Sequence, residues 1–373
     1  MIINGYPHSS HGSLRVQIDW RIMSIVCQTS AATLHAMQKK LSRVMPDFEI
    51  RQKAELVFEI NQLKKKLGAI ILGHNYMEPA LYQTVPDVVG DSLALAKVAS
   101  QTDKDPIVFC GVRFMAETAK ILNPEKTVLL PTNRSGCSLA ESITVEDVRW
   151  LRARFPGVPV VSYINTYASV KAESDICCTS SNTAAVIDSL ESDTAILIPD
   201  EYLARNVANE TGKEIIFPTR DPGKINDGHP ELNYQLIGWS GRCMVHDRYT
   251  TKDIEMVRRQ FPGVMVLAHP ECSAEVVNAS DYCGSTTGMI NKVRDTQAPG
   301  YLLLTECTMG DNIIADCPDK EVIRLCSIRC PYMNEITLEQ TLASLKFGRF
   351  EIELPASLIE RARKPIEAMM RVS

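Results

Sequence analysis

A chain of 373 residues with 45% apolar side chains has room for two or three domains with sizeable cores, which excludes disorder as its main state. Its net charge of −5, with acidic and basic residues intermixed, argues against a nucleic-acid partner, and no apolar run reaches the roughly 18 residues that a membrane span needs. Twelve cysteines in so long a chain do not make a secreted disulfide scaffold; they point to a reducing cytoplasm, with thiols buried or bound to metal.

Residues 1–47 differ from the rest. They are polar, carry one acidic residue in the first forty, and have too little Arg for a transit peptide, so they read as an N-terminal extension. Ile50, Ala54, Val57, Phe58, Ile60 and Leu63 recur at helical spacing and predict an amphipathic helix over 48–67. The apolar run 69–72 predicts a buried strand, 79–83 a short helix, and 88–89 a second strand. Gly90-Asp91-Ser92 opens a helix to residue 99, and strands at 107–110 and 127–130 flank a helix at 116–122. Thr144 starts a helix with Glu146 and Asp147 in its first turn, where acidic groups suit the helix dipole. Pro156-Gly157 is a turn into a strand at 158–162, followed by a helix at 182–190 and a strand at 195–198. A Gly-, Pro- and Asn-rich stretch, 219–235, reads as an inserted loop. From Thr250 the same order recurs to about residue 304, and Thr337 starts closing helices that end near 372. Short strands alternating with helices mean parallel sheets covered on both faces.

The chain repeats itself. Residues 137–182 and 243–288 align without a gap at 14 identical positions of 46, against roughly three expected by chance. Cys137 pairs with Cys243, Thr144 with Thr250, Asp147 with Asp253, Phe155-Pro-Gly-Val158 with Phe261-Pro-Gly-Val264, and Asp175 with Asp281. A third copy is split. Cys330 stands seven residues before Thr337, as Cys137 does before Thr144, while 69–96 supplies the strand end, with His74 where the others have Tyr163 and His269. A copy divided between the two ends implies a closed, threefold-like body whose chain ends meet. Each unit is a normal domain size.

Three positions of this repeat carry chemistry. Cys137, Cys243 and Cys330 alone among the cysteines hold the equivalent place in all three copies. Converging thiolates suit an iron–sulfur cluster with one iron lacking a protein ligand; zinc on three cysteines and water is the competitor. Either leaves the open coordination position that a Lewis acid needs. The bland explanation, three small buried residues, is weaker because Cys recurs while its neighbours vary. His74 and Tyr76, Tyr163 and Asn165, and His269 and Glu271 follow the carboxyl ends of matching strands, the ligand face of open parallel sheets. His, Tyr and Glu are proton-moving side chains. Ser92, Ser180 and Thr286 stand at three helix starts, where backbone N–H groups and hydroxyls would cage an anion, although Ser and Thr are ordinary caps as well. No P-loop or G-x-G-x-x-G is present, so a nucleotide has little support.

The segments GHNYMEP, GDSLALAK, FCGVRFMAETAKIL, SGCSLA, VVSYINT, CTSSN, PDEYLA, GWSGRCMVHDR, HPEC, GSTTGMI, LLTE and CPYMNEITLE occur in order over about residues 50–350. Together they resemble the quinolinate synthase family, the A protein of NAD biosynthesis in bacteria and archaea. The resemblance implies an α/β fold of three similar three-layer α/β/α units with short parallel sheets around a pseudo-threefold axis, the active site at the centre. It implies a first unit of residues 48–138 plus 331–373, a second of 139–244 and a third of 245–330. It also implies a [4Fe–4S] cluster on Cys137, Cys243 and Cys330, and condensation of iminoaspartate with dihydroxyacetone phosphate to quinolinate, losing phosphate and water. The expected partners are these small molecules, with functional coupling to the enzyme that makes iminoaspartate, and neither nucleic acid nor membrane. In this setting Glu271 and His269 would transfer protons, Tyr76 and Tyr163 would act as acid/base or orienting groups, and His74 and Asn165 would hold carboxylates. Ser92, Ser180 and Thr286 would hold phosphate or carboxylate. Some members carry C-x-x-C-x-x-C at the last ligand; this chain has only Cys326 and Cys330 there. A zinc-dependent lyase of the same shape and a non-catalytic repeat protein are the competing readings.

Overall fold

In the computed structural model, which describes residues 24–220, 234–325 and 327–372, the chain builds three separate parallel sheets. Before the first come α1 (Ser30–Leu41) and α2 (Asp47–Leu67). That sheet contains β1 (Ile70–His74), β2 (Val88–Gly90), β3 (Ile107–Cys110) and β4 (Val128–Leu129), joined through α3 (Pro79–Tyr82), α4 (Ser92–Gln101) and α5 (Arg113–Leu122). The second unit runs α6 (Val145–Arg154), β5 (Val160–Tyr163), α7 (Ala168–Lys171), β6 (Ile176–Cys178), α8 (Thr183–Asp188), β7 (Ala195–Ile198), α9 (Glu201–Thr211), β8 (Ile215–Ile216) and β9 (Leu236–Gly238). The third runs α10 (Thr251–Gln260), β10 (Met265–Ala268), α11 (Ala274–Asn278), β11 (Tyr282–Cys283), α12 (Thr286–Asp295), β12 (Tyr301–Leu304), α13 (Thr308–Asp316) and β13 (Val322–Ile323). Then come α14 (Pro331–Asn334), α15 (Leu338–Phe347) and α16 (Ala356–Val372).

The sheet orders are β2-β1-β3-β4, β6-β5-β7-β9-β8 and β11-β10-β12-β13, so one pattern is used three times, with β8 added at one edge. In each, the chain leaves the first strand to one side and returns on the other. That reversal opens a crevice at the carboxyl end of the first strand, where open parallel sheets bind ligands. The fold is thus the α/β fold of three similar α/β/α units expected from the repeat.

The repeated residues show why the units fold alike. Asp87, Asp175 and Asp281 each turn a carboxylate back to the start of the first strand, accepting the N–H of Ile71 at 2.8 Å, Val160 at 2.7 Å and Val266 at 2.8 Å. Their own N–H groups donate to the carbonyls of the same three residues. A cation 23 residues earlier pairs with each: Lys64, Arg152 and Arg258, at 2.8, 2.8 and 2.9 Å. The pairs at the second and third units are exposed and contribute little by themselves; the backbone bond they flank matters more. Thr144 with Asp147, and Thr250 with Asp253, form capping boxes on α6 and α10. Thr337 caps α15 by accepting the N–H of Gln340. Gly157 and Gly263 turn the chain at φ +81°, a conformation that costs a side chain its ease. Replacing Asp281 by alanine is expected to cost about 1–2 kcal/mol, because the Val266 N–H at the start of β10 loses its acceptor. A urea melt checks this: the midpoint falls with an unchanged slope.

Some expected boundaries move. The helix expected at 116–122 begins at Arg113, and the strand expected at 158–162 is Val160–Tyr163, because the Pro-Gly turn uses up the preceding residues. The N-terminal extension is more than an appendage: α1, capped by Thr29, buries Thr33, Met37 and Leu41 at four-residue spacing against the core. Residues 1–23, most of the inserted loop at 219–235 and Cys326 lie outside the described residues. Of the closing helices, α15 packs on α2 and β3, whereas α16 lies across β6, α7 and α5 and so ties two sheets together. No helix among the described residues is long and apolar enough to cross a membrane.

Candidate functional site

All three crevices open into one cavity. The first unit supplies His74, Tyr76 and Ser92, the second Tyr163, Asn165 and Ser180, and the third His269, Glu271 and Thr286. Cys137, Cys243 and Cys330 line the same cavity. The structure therefore gathers every residue singled out above into a single space, from strand ends and loops that are far apart in the chain.

Each cysteine opens one helical turn. Cys137 precedes the 3₁₀ turn Ala140–Ser142, Cys243 the 3₁₀ turn His246–Arg248, and Cys330 caps α14. Burial pushes all three thiols up, Cys137 to about 12, Cys330 to about 11 and Cys243 well above the usual thiol range. Opposing it, two backbone N–H groups, two and three residues on, point at each sulfur: Leu139 and Ala140, Val245 and His246, Tyr332 and Met333. Donors placed for an anion around thiols that burial keeps neutral suit a sulfur that ionises on binding a cationic metal centre. The donor set thus fits a metal cofactor. Among the described residues, the ligand atoms that lie within 4.8 Å of one another are those of Cys243, His246 and Glu271. The three repeat cysteines are not such a group, so a single tetrahedral ion, with metal–sulfur bonds of about 2.3 Å, does not reach all three as they stand.

Beside Cys243 lies a buried hydrogen-bond network centred on Glu271, which is 3% exposed. Its Oε1 accepts from the Tyr163 hydroxyl at 2.6 Å and from Asn165 Nδ2 at 3.1 Å; its Oε2 lies 2.9 Å from His246 Nδ1. Burial pushes the Glu271 carboxyl up, but His246, His269 and these hydrogen bonds outweigh it and hold it below the usual carboxylate range. Tyr76 and Tyr163 are both pushed well above the usual phenol range, first by burial and then by the Glu271 charge, so both keep their protons.

His74 and His269 play one role twice. The Nδ1 of each accepts the N–H of the residue two positions on, Tyr76 and Glu271, at 3.3 Å. Burial lowers His74 to about 4 and His269 to about 3, so both rings are neutral. With Nδ1 accepting, the proton sits on Nε2. The cavity therefore has two imidazole donors, suited to a carboxylate or carbonyl oxygen.

The three helix starts are less uniform than expected. Asp91 caps α4 and also accepts from Ser285 Oγ at 3.1 Å, so a carboxylate already occupies part of that terminus. Thr286 starts α12 but its hydroxyl accepts from Asn75 Nδ2 at 2.9 Å. Ser180 lies three residues before α8 and hydrogen-bonds the Tyr163 side chain. Hydroxyls face the cavity from all three units, but only two of the helices, α4 and α12, begin beside them.

Two site residues escaped the sequence reasoning. His246 stacks on His269 with ring centroids 4.5 Å apart, and its Nδ1 is 3.2 Å from Cys243 Sγ. The other two copies have Ala140 and Met333 at this place, so the repeat gave no signal; the Cys-x-x-His spacing alone pointed to it. Thr305 follows β12, where the first and second units have Gly111 and Pro199, and nothing local marked it.

The description "Quinolinate synthetase A protein" belongs to the family model that matches residues 58–371. The quinolinate synthase of Sinorhizobium fredii is 46% identical over 336 residues, 90% of this chain and 88% of that protein. Quinolinate synthase 2 of Mesorhizobium japonicum is 46% identical over 345 residues, 92% of this chain and 99% of that protein. That of Xylella fastidiosa is 48% identical over 318 residues, 85% of this chain and 86% of that protein.

Proposed function

The chain belongs to the quinolinate synthetase A protein family, enzymes of NAD biosynthesis, and from that premise we propose that it condenses iminoaspartate with dihydroxyacetone phosphate to quinolinate. The cofactor in this reading is a [4Fe–4S] cluster held by Cys137, Cys243 and Cys330. The observation that carries it is the meeting, in one cavity, of three amide-supported cysteines with an ionised carboxylate, two protonated phenols and two imidazole donors.

When bound, the cluster supplies an open iron as a Lewis acid for loss of a hydroxyl. The remaining work falls to side chains. His74 and His269 donate Nε2–H to substrate carboxylates, with Asn165 beside them. Ser92, Ser180 and Thr286 hold phosphate or carboxylate oxygens. Glu271, ionised and buried, takes a proton from substrate carbon or nitrogen and becomes neutral, and His246 beside its Oε2 orients the carboxyl. Tyr163, donating to Glu271 Oε1, restores a proton or orients the carboxylate, and Tyr76 acts from the first unit. Burial keeps bulk water from competing for these protons. A free imine hydrolyses in water, so the enzyme that makes iminoaspartate is the natural functional partner.

One observation favours a second reading. Cys243, His246 and Glu271 lie close enough for a single ion, as in a zinc lyase, but this leaves Cys137 and Cys330 without a role. Anaerobic purification with metal and sulfide analysis and a quinolinate assay on one sample decides between them. About four irons and four sulfides per chain, with quinolinate formed, are expected from the cluster type. Stoichiometric zinc, or no quinolinate from a fully loaded protein, overturns the proposal.

A further inference from the structure

The residue four places after Cys137 is Glu141, and four places after Cys243 is Asp247, so two copies of the repeat keep an acidic side chain at one fixed distance beyond the cysteine. Both are exposed, and neither lines the central cavity. The N–H of each closes its turn by donating to the cysteine carbonyl, Glu141 to Cys137 at 2.9 Å and Asp247 to Cys243 at 3.0 Å. These are the turns whose inner amides point at the two sulfurs.

Each carboxylate then reaches out of its turn to a phenol on another element. Glu141 Oε1 accepts from the Tyr167 hydroxyl at 3.1 Å, just before α7, and its Oε2 from the Tyr332 hydroxyl at 3.3 Å, two residues after Cys330. Asp247 Oδ1 accepts from the Tyr202 hydroxyl of α9 at 2.7 Å. Tyr202 is held in turn: the Arg242 guanidinium, beside Cys243, lies 4.8 Å from its ring centroid and bonds Glu201 at 3.0 Å. The split copy has Asn334 at the acidic place, and its turn is tied instead through Tyr332 to Glu141. One carboxylate thus joins the Cys137 turn to the Cys330 turn. Gly136 shows how closely they are drawn together. A Cβ there would stand 2.5 Å from Glu141 Oε1 and 3.2 Å from Tyr332 Cε1, so a side chain would push the pair apart.

Exposed hydrogen bonds contribute little to folding by themselves, because water replaces them. What these bonds fix is the placement of the turns that carry the sulfurs. We propose that Glu141 and Asp247 are positioning residues for the metal group: they hold the cysteine turns in the arrangement that aims their amides at sulfur, and so slow loss of the metal. Partners behind a ligand act on metal retention in this way, through the ligand they orient. The proposal rests on the cofactor reading above and adds to it residues outside the cavity.

The test is iron release from anaerobically loaded, full-length protein to a ferrous chelator, followed by loss of visible absorbance. Glu141→Ala is expected to release iron about tenfold faster than wild type, the low end of the effect of losing such a partner. Asp247→Ala, which gives up one phenol instead of two, should release it about threefold faster, the scale of one exposed hydrogen bond. Tyr167→Phe combined with Tyr332→Phe keeps both rings, removes only the hydroxyls and should match Glu141→Ala. In the metal-free variants the urea midpoint should stay at the wild-type value, which a purely structural role would not allow. Release at the wild-type rate from either alanine variant or from the phenylalanine pair overturns the proposal, as does a metal-free midpoint lowered as far as the loaded one. A wild-type protein that carries no iron and sulfide instead sinks the cofactor reading beneath it. The two failures are distinguishable, because the second appears before any substitution is made.

Discussion

Cys243→Ala is expected to abolish the bound metal group and quinolinate formation together. The three cysteines are equivalent by repeat, and no other cysteine among the described residues lines the cavity. Loss of one leaves two thiols and two backbone donors aimed at an empty place. Cys243 is the most demanding of the three, because it also contacts His246, which in turn contacts Glu271. Its removal therefore disturbs the Glu271 network as well. The control is Cys177→Ala. Cys177 is also fully buried, but it lies within β6 and does not line the cavity. That variant should keep its colour and turnover, at a modest cost in stability. The measurement is iron, sulfide and visible absorbance after anaerobic purification, beside quinolinate yield. A colourless Cys243→Ala protein with normal activity would remove the cluster from the proposed reaction.

Glu271→Gln should lower kcat by about 10²–10⁴-fold with the metal group intact, since that is the usual contribution of a positioned acid/base group. The amide is nearly the same size as the carboxylate, so packing survives. What changes is charge and donor count. Glu271 accepts three hydrogen bonds, from Tyr163, Asn165 and His246. An amide has one oxygen and an NH₂ group, so at least one of these donors meets another donor. The buried mismatch costs about 1–3 kcal/mol and should appear as a lower melting midpoint. Single-turnover kinetics separates the effects: product formation slows while substrate binding is retained. Normal turnover with a full complement of iron and sulfide would take Glu271 out of the mechanism.

Much of this architecture was readable before any coordinates, and for a local reason. The repeated Asp bonds to the strand N–H about fifteen residues before it, as in Asp175 to Val160 and Asp281 to Val266. The capping boxes span three residues, Thr144 to Asp147 and Thr250 to Asp253. The Cys-to-Thr interval is one helical turn plus its cap. Features of such short reach leave a periodic trace, and three copies of one trace imply three copies of one unit. The same register put the strand-end pairs and the cysteines on matching faces, which is how the candidate residues were found.

His246 and Thr305 left no such trace, because they break the repeat. A site shared among three units needs different groups at equivalent places, and pattern matching passes over those differences. The helix in the N-terminal extension was overlooked for a related reason: its three-residue stripe of Thr33, Met37 and Leu41 is short, and its burial depends on what lies beneath it.

By itself, then, the sequence determined the three α/β units, the succession of strands and helices along each and the set of side chains available for chemistry, since caps, turns and apolar periodicity act within a few turns of chain. Only the tertiary structure decided which of those side chains touch, and so which donate and which accept. Tyr163 meets Glu271 across 108 residues of chain, and Tyr76 meets Thr305 across 229. No local preference encodes contacts of that span. They exist because three cores pack with their crevices facing inward, and the direction of each hydrogen bond follows from what that packing leaves beside it.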